Sequence, residues 1–127
     1  MALRSESDRS AETLDVVERF NEATNRHDID GMMACMGADV VFESTSSPDG
    51  ERFEGAAAVR QAWEALFREA PRARFEGEEV VVAGDRCTVR WRYVFDADAP
   101  EQGHVRGVDV LRVAGGKIVE KLSYVKG

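Results

Sequence analysis

Two ionisable side chains near the C-terminus, Asp109 and Lys121, fall in segments whose apolar neighbours predict covered β-strands. Asp109 lies between Val108 and Val110 in the stretch RGVDVLRVAGGKIVEKLSYVKG, residues 106–127. That stretch reads as two strands joined through Ala114-Gly115-Gly116. With a three-residue loop, Val113 faces Lys117, Leu111 faces Val119, Asp109 faces Lys121 and Gly107 faces Ser123. All of these share one face, because strand side chains alternate with period two. Val108, Val110, Ile118, Leu122 and Tyr124 take the other face. A facing carboxylate and amine have two uses. On a wet surface they form a cross-strand ion pair that contributes only about 0.2–1 kcal/mol. Beside a pocket, a carboxylate paired with lysine is a base or an anchor. If the lysine points away, desolvation keeps the acid protonated, as a hydrogen-bond donor.

A second constellation lies on the strand expected at residues 86–95. Cys87, Val89, Trp91, Tyr93 and Phe95 alternate to one side, and Thr88, Arg90, Arg92 and Val94 to the other. At each single position plain core is the simpler reading. Together with Phe20, Phe42, Trp63 and Phe67 the set predicts a pocket able to hold a flat, apolar molecule. Tyr93 has the only hydroxyl among these residues, so Asp109, Lys121 and Tyr93 form the candidate catalytic group. Leu111, Ser44 and Ser123 read as further pocket lining. Neither serine has a histidine that the sequence links to it as an activating base. His27 stands at a helix junction and His104 at a loop edge, both read as exposed or locally bonded. Arg90 and Arg92 face outward, with the acidic run EGEE (76–79) as partner. Glu43 has the opposite parity to Ser44 and points out. The loop SSPDGERFEG (46–55) borders the pocket mouth, as a lid or a simple connector.

These residues need elements to hold them. Ser10 reads as a helix cap, with Leu14, Val17, Phe20 and Ala23 at helical spacing over residues 11–26. Asp28 caps a short second helix with Ile29, Met32, Met33 and Met36 inward, ended by Gly37. A strand follows at 39–44, then the loop, then a helix at 56–69 with Val59, Trp63 and Leu66 on one stripe. Pro71 prevents its continuation. Strands are expected at 74–83, 86–95, 104–113 and 117–125. Helices first and hairpin-linked strands afterwards predict an α+β fold with an antiparallel sheet. Residues 1–10 read as a flexible tail and 11–127 as a single domain.

A length of 127 residues fits one domain, and the formal net charge is −7. That charge argues against partners such as nucleic acid or anionic lipid, which call for a basic surface. No run is long enough to span a membrane, and the N-terminus has no signal-like apolar core, so a cytoplasmic setting is expected. Cys35 and Cys87 sit in apolar patterns and read as reduced, small hydrophobes. No Cys/His cluster suggests a metal, and no glycine-rich loop suggests a nucleotide, so no cofactor is expected.

The order of elements resembles the nuclear transport factor 2-like superfamily, in its SnoaL-like and ketosteroid-isomerase-like branch. The resemblance rests on VVERFNEATNRHDIDGMMACMGADVVFES (16–44), FEGAAAVRQAWEALF (53–67) and residues 106–127. It implies a curved antiparallel sheet wrapped around N-terminal helices into a cone with an open apolar pocket. It also implies a homodimer through the outer sheet face. Asp109 matches the aspartic acid that ketosteroid isomerases keep neutral, as a donor to the enolate oxygen. The tyrosine donor of that family is replaced here by Phe20, and its aspartate base by Ser44. The related epoxide hydrolases place an acid where this chain has Ser123. Two classes of function follow. One is a cofactor-independent acid–base enzyme (isomerase, cyclase or dehydratase) on an apolar carbonyl compound. The other is a non-catalytic ligand-binding or dimerisation module.

Overall fold

The computed structural model describes residues 5–127. Helix α1 runs Glu6–Asn25, so it starts ahead of the expected Ala11. Ser5, not Ser10, is the cap, and its hydroxyl accepts the Asp8 N–H at 3.1 Å. Ser5 followed by Glu6 and Asp8 carries its own start signal, since acidic residues in a first turn complement the helix dipole. Ser10 lies inside the helix and its hydroxyl accepts the Gly84 N–H at 2.8 Å. Thr13 donates to the Gly84 carbonyl at 2.7 Å. The two bonds tie α1 to the turn at Gly84-Asp85. Of the expected tail, residues 1–4 lie outside the described residues, and residues 6–10 are helical.

Helix α2 (Ile29–Ala34) is capped by Asp28, whose side chain accepts the Gly31 N–H at 3.0 Å. Strand β1 (Met36–Glu43) begins earlier than expected and buries Met36. Strand β2 (Arg52–Glu54) falls inside the stretch read as loop. Three residues are too few to show alternation, and the strand is defined by its antiparallel pairing with β1. Helix α3 runs Ala56–Glu69. Strands β3 (Arg74–Ala83), β4 (Arg86–Val94), β5 (His104–Ala114) and β6 (Lys117–Val125) follow, with a short 3-10 turn at Pro100–Gln102 before β5.

The six strands form one sheet in the order β2-β1-β6-β5-β4-β3. Every pairing is antiparallel except β1 with β6, which is parallel. The core gathers on one face of this sheet. Val16, Val17, Phe20 and Ala23 of α1 and Val59 and Trp63 of α3 pack against Phe42, Cys87, Val89, Trp91, Leu111 and Ile118. Thus α1 and α3 present apolar stripes at helical spacing to strands that present theirs at period two.

The last hairpin departs from the expected register. Its turn has two residues, because Ala114 pairs with Lys117. Gly115 and Gly116 have φ of +58° and +74°, the left-handed pair a tight hairpin turn requires. A register shift then follows: Val113 pairs with Ile118 but Arg112 pairs with Glu120. The extra residue on β6 is a β-bulge, and it reverses which side chains point inward. Ile118, expected on the outer face, is fully buried in the core. Beyond the bulge Leu111 pairs with the inward-pointing Lys121 of β6, not with the expected Val119.

Candidate functional site

The bulge sets the geometry at Asp109. Its direct partner across the hairpin is Ser123, while Lys121 faces Leu111 on one side and Phe42 of β1 on the other. Asp109 and Lys121 are therefore diagonal neighbours, within reach of a long side chain. Lys121 Nζ lies 3.3 Å from Asp109 Oδ2. It also donates to Ser123 Oγ at 2.9 Å, and Ser123 Oγ donates to Asp109 Oδ1 at 2.7 Å. The carboxylate thus receives a hydroxyl on one oxygen and an ammonium on the other. Asp109 is 6% exposed and Lys121 5%. The ammonium also stands over two rings, 4.7 Å from the Phe42 centroid and 5.0 Å from that of Trp63. A desolvated cation on aromatic faces is favourable by about 2 kcal/mol.

This group lines a cavity of about 650 Å³. Of the residues expected around it, Phe42, Ser44, Trp63, Trp91, Tyr93, Asp109, Lys121 and Ser123 do line it. A smaller chamber of about 70 Å³ adjoins it, with Phe20 and Val89 in its wall. Asp109, Lys121, Trp63, Trp91 and Phe75 border both spaces. Leu111 borders neither; it is core, 1% exposed. Phe67 is also displaced from the expected lining. Its ring stacks on His27 at 4.1 Å and 9°, on the α1–α2 side of α3.

Tyr93 is placed far from Asp109. The β4 residue opposite Asp109 is Val89, and Tyr93 lies four residues further on. At the rise of a strand that is roughly 13 Å. Tyr93 sits instead among Phe75 and Phe95, with ring centroids 4.8 Å and 5.8 Å away. Burial raises the pKa of its phenol, so it stays a neutral donor at physiological pH. Asp109 and Tyr93 therefore mark two ends of the cavity.

Phe53 and Phe75 line the cavity without having been legible as lining. Phe53 lies on β2, opposite Phe42. Phe75 is turned inward by a second register shift, between Gly77 and Glu79, which makes it the partner of Tyr93. Unbroken pairing from the Ala83–Arg86 end would have set Phe75 opposite Val94, on the outer face. Outside the cavity the expected arginine pairing holds for Arg92, which donates to Glu76 at 2.6 Å. Ser44 is held by the loop: its hydroxyl accepts the Glu51 N–H at 3.0 Å. Among the described residues, no three His, Cys, Asp or Glu side chains gather as a metal site. No helix among them is long and apolar enough to cross a membrane.

The sheet curled against helices, with a polar group set in an aromatic cavity, defines the class. The chain belongs to the SnoaL-like domain family, whose model matches residues 17–121. It is similar to an NTF2-like protein of unknown function from Mesorhizobium loti, at 41% identity over 100% of both chains and a TM-score of 0.82. Its fold is also that of a "putative ketosteroid isomerase" from Kribbella flavida, at 17% identity and a TM-score of 0.76, covering 93% of this chain and 80% of that one. A "putative polyketide cyclase" from Sinorhizobium meliloti shares it at 23% identity and a TM-score of 0.72, covering 86% and 93%. No match is found among curated proteins.

Proposed function

We propose that this chain is a cofactor-independent enzyme that moves a proton on an apolar, carbonyl-containing small molecule. The observation that carries this reading is the Asp109 carboxylate on the cavity wall, bonded by Ser123 at 2.7 Å and paired with Lys121 at 3.3 Å. Phe20 and Ser44 supply neither the phenol nor the carboxylate of a steroid isomerase. Asp109, with its ammonium neighbour, then serves as the base rather than as a neutral donor. A carboxylate beside a substrate's α-carbon removes the proton, and negative charge develops on the carbonyl oxygen. Lys121 has three N–H donors, two of them directed to Ser123 and Asp109. Turned from the Phe42 and Trp63 faces, the third meets that oxygen, in an aromatic environment where charge stabilisation is strong. Isomerisation, aldol cyclisation and dehydration all share this first step. Tyr93, at the other end, is a neutral donor for a distant polar group of an elongated substrate.

One observation favours the binding-module reading: Asp109, Ser123 and Lys121 already satisfy one another. Exchange of α-protons separates the two. Flat ketones and β-diketones are incubated with the protein in deuterium oxide and followed by proton NMR. Exchange above the buffer rate, lost in Asp109→Asn while line-broadening of the bound ligand persists, supports the enzyme. Binding with no exchange in the wild-type protein supports the module. The same proposal includes a homodimer through the outer sheet face, where Tyr124 and Val81 are 53% and 56% exposed, and a cytoplasmic setting. Light scattering that gives a monomer mass would remove the dimer.

A further inference from the structure

Asp109 and Lys121 stand in a wall shared by two spaces. The large cavity is on one side. On the α1 side lies the 70 Å³ chamber, which reaches the half-buried Asn21 and the exposed Asn25 and Gly77. A chamber of that size takes more than one water, provided polar groups hold them. This one has them. Thr24 donates to Phe20 and keeps its acceptor capacity, and the amide of Asn21 adds a donor and an acceptor. The rings of Trp63 and Trp91 belong to the apolar part of its wall. The carboxylate of Asp109 has lone pairs beyond the two that Ser123 and Lys121 occupy.

We infer that the inner chamber holds a water chain from Asp109 to solvent past Asn21, and that it carries protons while the large cavity is filled. This rests on the acid–base reading for its purpose, but not for its existence. A ligand in the large cavity cuts Asp109 off from solvent on that side. A proton taken from the substrate then passes from the Asp109 carboxyl to the first water, and the chain releases one to bulk. The carboxylate is regenerated without waiting for the ligand to leave.

The test is a high-resolution crystal structure of the wild-type protein and of Asn21→Leu, with water–amide Overhauser effects measured in solution. At least one ordered water bonded to Asp109 from the α1 side is expected in the wild type. Asn21→Leu should lose it, with the Asp109–Ser123–Lys121 geometry unchanged. A dry chamber in the wild type overturns the inference. Water kept unchanged in the variant overturns the path past Asn21. With a turned-over substrate, the variant should return the abstracted proton to product, where the wild type introduces deuterium from solvent. Absence of all proton exchange would defeat the acid–base reading and leave the water result to stand or fall alone.

Discussion

Ser123 stands directly opposite Asp109 across the β5–β6 hairpin, and its hydroxyl joins that carboxylate to the Lys121 ammonium. A small residue here lets the long lysine fold back diagonally to its partner. Ser123→Ala removes the bridge and leaves Asp109 Oδ1 without its donor. The expected cost is about 1–3 kcal/mol in urea unfolding, with the slope of the transition unchanged.

Lys121→Met strands a buried carboxylate. A loss of roughly 3–5 kcal/mol is expected, since removing one partner leaves the other charge uncompensated. Pairing it with Asp109→Leu should restore most of that stability, because both buried charges are then gone. A double variant as unstable as Lys121→Met alone would show that the pair is not the source of the loss.

Gly107 is where Trp91 crosses the sheet. A β-carbon there would lie 2.5 Å from the indole Cη2 and against the Tyr124 carbonyl. The backbone cannot yield as a flexible side chain would. Gly107→Ala should therefore cost about 1–3 kcal/mol and shift the tryptophan fluorescence and near-ultraviolet circular dichroism. An unchanged spectrum would mean that Trp91 is not held against this strand.

The Asp96 carboxyl is held below its usual range by the hydrogen bond from Arg72 at 2.9 Å, against the opposing effect of burial. The folded state binds that proton less tightly than the unfolded chain. Its stabilising effect is therefore complete above the unfolded carboxyl value of about 3.9 and is lost as pH falls through the lower folded value. Arg72→Gln should lower the melting temperature at neutral pH. The difference from wild type should shrink as the solution is acidified, and a constant offset down to strong acid would argue against the linkage.

The Cys87 thiol is pushed up to about 11 by burial, with further contributions from the charges of Asp109 and Glu18. Burial also raises the Cys35 thiol. Neither is a thiolate near neutral pH. A disulfide-exchange reagent should find almost no reactive thiol in the folded protein and two after denaturation in urea. Fast reaction of the native protein would show that the core around α1 opens.

Much of the scaffold is legible along the chain. Helix α3 at 56–69 follows from its apolar stripe and Pro71, and the alternation on β4 correctly turns Trp91 and Tyr93 to the cavity. Those signals are local: a period of 3.6 or of two is written in consecutive residues. Asp109 and Lys121 are conspicuous for the same reason, as charges inside covered strands. The start of α1 is ambiguous in the sequence, because Ser5 and Ser10 both carry cap chemistry and only contact with the Gly84 turn occupies the second.

What the sequence by itself determined was the set of elements, their inward stripes and the pair of charges to examine. Tertiary structure alone decided how those charges meet. The two-residue glycine turn and the bulge at Val119 bring Ser123, not Lys121, opposite Asp109, and the parallel partner β1 sets Phe42 beside the ammonium. A bulge is one residue's difference between two strands, and its position depends on what both strands pack against. The same holds for Phe67, drawn from the cavity by His27, and for Phe75, brought into it by the shift in β3. Side-chain period is local, but register and the partner across a cavity are set by contacts distant in sequence.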